Sequence, residues 1–102
     1  MSADPRSRAQ RRRDTEHRLT HDIDVWVASA SADGAPYLVP LSFDWDGEAL
    51  LLATPTDSPT GRNLAATRLS GWFRVCPRRI QAWREVDELP DRELMADGRW
   101  LV

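Results

Sequence analysis

The sequence predicts a small, mainly β domain with short helices and a helical N-terminal arm. Two observations carry this expectation. Tyr37, Val39, Leu41, Phe43 and Trp45 put apolar side chains at every second position, the spacing that lines one face of a strand. Turn signals frame that stretch, Ala32-Asp33-Gly34-Ala35 before it and Asp46-Gly47 after it, each suited to reversing the chain between paired strands.

The neighbouring segments complete a meander. Ile23, Val25 and Val27 alternate with Asp24, Trp26 and Ala28, which reads as a first strand, and residues 48–54 read as a third. Pro40 falls on the face of the middle strand opposite the apolar row. It has no N–H to give to a ladder, so it marks an edge, a bulge, or a place where a ligand stands in for a neighbouring strand.

The third strand runs into the stretch around which the chain is organised, Ala53-Thr-Pro-Thr-Asp-Ser-Pro-Thr-Gly-Arg-Asn-Leu-Ala-Ala-Thr67. Ser58 is a good N-cap, and Pro59 suits the first helical position, where a missing N–H costs nothing. Gly61 permits a close approach to the backbone. Arg62 brings a permanent charge and a fork of donors, and Thr54, Thr56, Ser58 and Thr60 bring hydroxyls. A strand that ends in such a turn at a helix start is a ready site for a phosphate. The same residues also suit an ordinary capped helix after a strand, and both readings stand at this point.

Composition narrows the function class. With 102 residues the chain is one domain at most, and its 41% apolar content is too high for wholesale disorder. No apolar run approaches a membrane span, and the N-terminus lacks a signal-peptide centre, so a cytoplasmic location is expected. The single Cys76 excludes an internal disulfide and a multi-cysteine metal site. Lying between Val75 and Pro77, it is expected to be buried filler rather than a nucleophile. All 14 basic residues are arginine. Six arginines against Asp4, Asp14 and Glu16 leave residues 1–18 at +3, and eight against thirteen acids leave residues 19–102 at −5. A globally basic nucleic-acid surface is therefore absent.

The N-terminal arm has two readings. Arg11-Arg12-Arg13 could meet nucleic acid or acidic lipid, or could be a solvated arm or the exposed face of a helix over residues 8–19 with little apolar surface. His17 and His21 stand one helical turn apart with Asp22 and Asp24 nearby, but no third ligand of metal-site quality follows, and no metal is expected.

Several motifs in order carry a resemblance. They are Gly34-x-Pro36-x-x-x-Pro40, then Leu51-Leu52-Ala53-Thr54, Ser58 and Arg62-Asn63-Leu64. Later come Phe73-Arg74-Val75-x-Pro77-Arg78-Arg79-Ile80-Gln81-Ala82-Trp83-Arg84 and Asp97-Gly98-Arg99-Trp100-Leu101. Together they resemble the pyridoxamine 5′-phosphate oxidase-like FMN-binding split-barrel family, over about residues 17–67 and 72–102. The resemblance implies a Greek-key split β-barrel that forms a homodimer with FMN in a cleft at the subunit interface. The backbone of Val39, Pro40, Leu41 and Ser42 would lie along the isoalloxazine ring. Thr54, Ser58, Thr60, Arg62 and Asn63 would hold the ribityl phosphate. Trp83 and Arg84, on the family's last strand, would face the partner's cofactor, although Trp83 serves equally well as barrel core or dimer packing. Family oxidases carry a basic residue within two positions after this serine. Here Thr60 stands there and Arg62 is the nearest cation, which leaves the deazaflavin F420 open as the alternative cofactor.

The implied activity is that of a flavin-dependent oxidoreductase acting on a small molecule, with the chemistry supplied by the cofactor. No separate catalytic set is present: there is no Gly-x-Ser-x-Gly elbow, and Asp44, Asp46 and Asp57 stand near turns, where aspartate caps backbone. A cofactor-binding paralogue without turnover is a second reading. A nucleic-acid module using Arg11, Arg12, Arg13, Arg78, Arg79, Trp83 and Arg84 is a third, opposed by the charge of residues 19–102.

The resemblance also implies an internal deletion. After the helix the family adds two strands and a connecting helical segment, whereas here only Arg68-Leu69-Ser70-Gly71 separates the helix region from Trp72. About 30–40 residues are missing at ordinary strand and loop lengths. The expected domain is an arm at 1–18 and an incomplete barrel at 19–102. Unpaired edges are expected beside the third and last strands, and the meander's inner face would be uncovered.

Overall fold

The computed structural model describes residues 4–64 and 72–102. The protein is mainly β, with antiparallel sheets of four and three strands and short helical segments. Among the described residues neither sheet closes into a barrel. The chain divides into two compact units: Asp22–Val75 forms one, and Met1–His21 joins Cys76–Val102 to form the other. The N-terminal segment thus belongs with the C-terminal strands, a partition the sequence did not indicate. The junction at residues 68–71, where the deletion is inferred, lies outside the described residues.

In the central unit, β1 (Asp24–Ala30), β2 (Pro36–Trp45), β3 (Leu50–Ala53) and β4 (Trp72–Val75) lie in the order β1-β2-β3-β4. The meander read from the sequence is present. Its first turn closes with Ser31 N–H donating to Ala35 O at 3.0 Å and Gly34 N–H to Ser31 O at 2.9 Å. At its second turn, Asp46 Oδ1 accepts from the N–H groups of Glu48 and Ala49 at 2.9 and 2.8 Å, so the aspartate caps the turn as expected. Those backbone donors, helped by Arg74, hold the Asp46 carboxyl below the usual carboxylate range.

Register fixes what each face carries. Val39, Leu41, Phe43 and Trp45 share a face with Val25 and Val27 of β1, Leu50 and Leu52 of β3, and Phe73 and Val75 of β4. Of these only Leu52 is buried; the rest are half-buried, apart from the more exposed Val75. Among the described residues the inner face of the meander is therefore incompletely covered. The opposite face of β1 and β2 pairs Trp26 with Pro40, Ala28 with Leu38 and Ala30 with Pro36, all exposed.

Two expectations about the strands are corrected. The third strand is not an edge: β4 pairs with it from Leu50↔Val75 to Ala53↔Trp72, so the ends of this sheet are β1 and β4. Aromatic and β-branched residues in Trp72-Phe73-Arg74-Val75 make a short strand that fills the place. The stretch 73–84 is likewise not one strand. It breaks at residues 76–79, and only Ile80–Gln81 (β5) resumes, in the other sheet. Pro77 interrupts it by removing a ladder donor. Cys76, at this break, is exposed rather than buried.

The second unit contains α1 (Arg8–His21), β5, a 3-10 turn at Val86–Asp91, β6 (Glu93–Ala96) and β7 (Arg99–Trp100), with sheet order β5-β6-β7. Asp97 and Gly98, at φ 52° and 78°, make the two-residue reversal between β6 and β7 that requires positive φ at both positions. Leu94 and Met95 are its buried apolar residues. Ser7 starts α1, its Oγ accepting from Gln10 N–H at 3.1 Å. The helix has only Ala9 and Leu19 as apolar residues. It is laced instead by Gln10 to Asp14 at 2.7 Å and Arg12 to Glu16 at 3.0 Å, pairs one turn apart.

Within the arginine run, Arg13 is exposed, but at Arg11 the reading as solvated or ligand-facing is corrected. It is 1% exposed, and its guanidinium donates to Ala82 O at 3.1 Å, Asp91 O at 2.9 Å and Asp91 Oδ1 at 2.8 Å. Arg12 lies over the Trp100 ring at 4.2 Å. No helix among the described residues is long and apolar enough to cross a membrane.

Candidate functional site

The proposed ring-binding strand is β2. Phe43 N–H donates to Ile23 O at 3.0 Å, and hydrogen-bonded pairs alternate along an antiparallel ladder. Odd positions of β2 therefore exchange bonds with β1, and even positions turn their backbone groups to the other side. The ladder with β3 spans only Phe43↔Leu52 to Trp45↔Leu50. The outward backbone of Leu38 and Pro40 thus lies beyond it, and no strand of the described residues pairs there. Pro40 is at an edge, one of the situations its missing N–H required. Val39 and Leu41 point to the half-buried inner face, while Ser42 is exposed and its Oγ donates to Asp24 Oδ1 at 3.0 Å.

Beside the end of β3, the hydroxyl-rich turn leads into α2 (Pro59–Leu64), which contacts β1 and β2. Ser58 is the N-cap, its Oγ accepting from Gly61 N–H at 3.0 Å while Arg62 N–H donates to Ser58 O at 2.9 Å. The Ser58 hydroxyl also donates to Pro55 O at 2.7 Å and lies 3.1 Å from Thr54 Oγ1. Its one proton goes to Pro55, so Thr54 is the donor in the last contact. Ser58 then has both lone pairs and its proton engaged, with nothing left for a phosphate. Gly61 does meet a close neighbour, but that neighbour is the loop itself: a Cβ there would stand 2.1 Å from Pro55 O.

The remaining residues differ. Thr60 is 1% exposed, and its Oγ1 has no hydrogen-bond partner among the described residues. A buried hydroxyl without a partner is costly. Arg62 is exposed and donates through Nη1 to Asp57 O. Asn63 Nδ2 donates to Ser29 Oγ at 3.0 Å, tying α2 to β1. Thr54, Ser58 and Gly61 build the turn, and the fit to a phosphate rests on Thr60 and Arg62.

Trp83 and Arg84 belong to the other unit, outside any strand, between β5 and the 3-10 turn. Trp83 is 47% exposed. Arg84 N–H donates to Glu88 Oε1 at 2.8 Å. Of the other arginines considered for nucleic acid, Arg79 is paired with Glu93 at 2.8 Å and Arg11 is buried. His17 and His21 stack with ring centroids 4.1 Å apart, His21 Nδ1 donating to His17 O at 2.8 Å. Among the described residues no cluster of three or more histidines, cysteines or carboxylates is arranged for a metal.

The sequence missed one cluster altogether. Glu88, 2% exposed, receives Arg6 N–H at 2.8 Å and the Arg6 guanidinium at 3.1 and 2.8 Å, besides Arg84 N–H. The Arg6 guanidinium first, and the backbone donors with it, hold the Glu88 carboxyl down at about 2 despite burial. A contact across more than eighty residues between two polar segments leaves no periodic signal in the sequence. No protein-family model matches the chain, and no curated protein matches it.

Proposed function

We propose that the chain is an FMN-binding protein of the split-barrel type that acts as an oxidoreductase on a small molecule. What supports the reading is one conjunction: a β2 edge to which no strand of the described residues pairs at Leu38 and Pro40, and a turn whose buried Thr60 hydroxyl has no partner among the described residues, beside the exposed cation Arg62. The edge carbonyls and the Leu38 N–H would meet the polar rim of a planar ring. Thr60 and Arg62 would take a phosphate. The flavin, when bound, supplies electron-pair transfer, while the chain binds and orients it. The saturated Ser58 hydroxyl favours a second reading, a binder of FMN or F420 without turnover, because the turn offers fewer phosphate donors than its sequence suggests.

Titration of the purified protein with FMN and with F420, followed by flavin fluorescence and visible absorbance, tests this. Saturable FMN binding, weakened in Thr60→Val, supports the site. Binding of F420 alone moves the assignment to the deazaflavin, and binding of neither cofactor overturns it. NAD(P)H-dependent bleaching of a bound flavin separates oxidoreductase from binder.

A further inference from the structure

α1 is attached to its unit by charge and by carbonyl acceptors, with almost no apolar surface of its own. Arg6, just before it, grips Glu88 through its backbone N–H and its guanidinium and reaches Asp14 at 3.0 Å. Arg8 donates to Glu93 O at 2.7 Å. Arg11 spans Ala82 O and the backbone and side chain of Asp91. Arg12 lies on Trp100 and donates to Val102 O. A helix polar all round does not hold itself in place by hydrophobic burial, so these bonds are its anchorage.

The same bonds fix the loop at residues 82–85. Arg11 holds Ala82 O from one side, and Glu88, gripped by Arg6, holds Arg84 N–H from the other. Trp83 lies between these two points, exposed. If Arg6 and Arg11 withdraw, buried Glu88 keeps only Arg84, through its N–H at 2.8 Å and its guanidinium at 3.9 Å, and Ala82 O and Asp91 O lose the Arg11 donors. That state is costly unless residues 82–91 rearrange as well.

We propose that α1 is a charge-held latch on the loop carrying Trp83 and Arg84, with Arg6, Arg11 and Glu88 as positioning residues, so that helix and loop dock and release together. This stands without the flavin reading. It gives the protein a means of setting the conformation of the Trp83–Arg84 segment from its N-terminus.

Hydrogen exchange of the full chain, read by mass spectrometry at neutral pH, tests the latch. In Glu88→Gln and separately in Arg11→Gln, peptides from α1 and from residues 82–91 are expected to exchange at least about tenfold faster, together. Peptides from β2 and β3 are expected to stay unchanged. Arg6→Lys, which keeps the charge, is expected to fall between wild type and Glu88→Gln. Faster exchange of α1 with residues 82–91 unaffected overturns the coupling. Uniform acceleration of the whole chain in the variants overturns the latch in favour of global unfolding. No change in any variant overturns the role of the charges.

Discussion

Arg62 stands one turn into α2, exposed, with its guanidinium directed to the carbonyl of Asp57 in the preceding loop. A charge-assisted hydrogen bond is worth about 1.5–3 kcal/mol, so Arg62→Ala is expected to weaken FMN binding roughly tenfold or more. Arg99→Ala, on β7 in the other unit, is expected to leave it unchanged; equal titration curves for the two variants would remove the phosphate assignment. Glu88 makes a second residue-scale prediction. Its folded-state carboxyl is held at about 2, below its ordinary 4.5, so the carboxylate contributes stability that is fully present above 4.5 and lost as pH falls towards 2. The melting temperature should therefore fall across that window, and Glu88→Gln should flatten this part of the profile. An unchanged slope in the variant would assign acid sensitivity to other carboxylates.

At the scale of elements, the turn between β3 and α2 is a closed piece of construction. Thr54, Pro55, Ser58 and Gly61 satisfy one another, and Gly61 is present because Pro55 O occupies the space of its Cβ. Gly61→Ala is expected to force the loop from the helix, at about the 1–3 kcal/mol typical of overpacking. Thermal unfolding should register this as a melting point lowered by at least about 4 °C. No change would mean that the loop relaxes freely. Read from sequence, the glycine signalled a close approach correctly but not what approaches, because spacing along the chain does not say whether a ligand or the chain's own carbonyl comes near.

For the molecule as a whole, the balance between enclosed and open apolar surface leads to a further expectation. Among the described residues only Ala49, Leu52, Leu94 and Met95 are buried apolar side chains, while Trp26, Leu38 and Trp72 are each more than 60% exposed. Small domains bury a smaller share of their surface, and open apolar patches of this kind mark partner surfaces. The half-buried row of Val39, Leu41, Phe43 and Trp45, with the exposed Tyr37 and Trp72 of the same unit, leads us to expect a homodimer. Light scattering at micromolar concentration checks it, and a monomeric mass with folded-protein circular dichroism counts against it.

What the sequence determined by itself was local. The alternation from Tyr37 to Trp45, the Asp-Gly turns and the Ser58 cap each follow from the geometry of a few adjacent residues, and each is present, while the sequence left Pro40 open among an edge, a bulge and a ligand-facing position. Tertiary structure decided whatever depends on partners far along the chain. It placed Trp72–Val75 against β3, parted that strand from Ile80–Gln81, and drew the N-terminal helix to the C-terminal strands. It also turned Arg11 from a surface charge into a buried one. An arginine is drawn inward only when carbonyls and carboxylates converge on it, and here they come from Ala82 and Asp91, some seventy and eighty residues away.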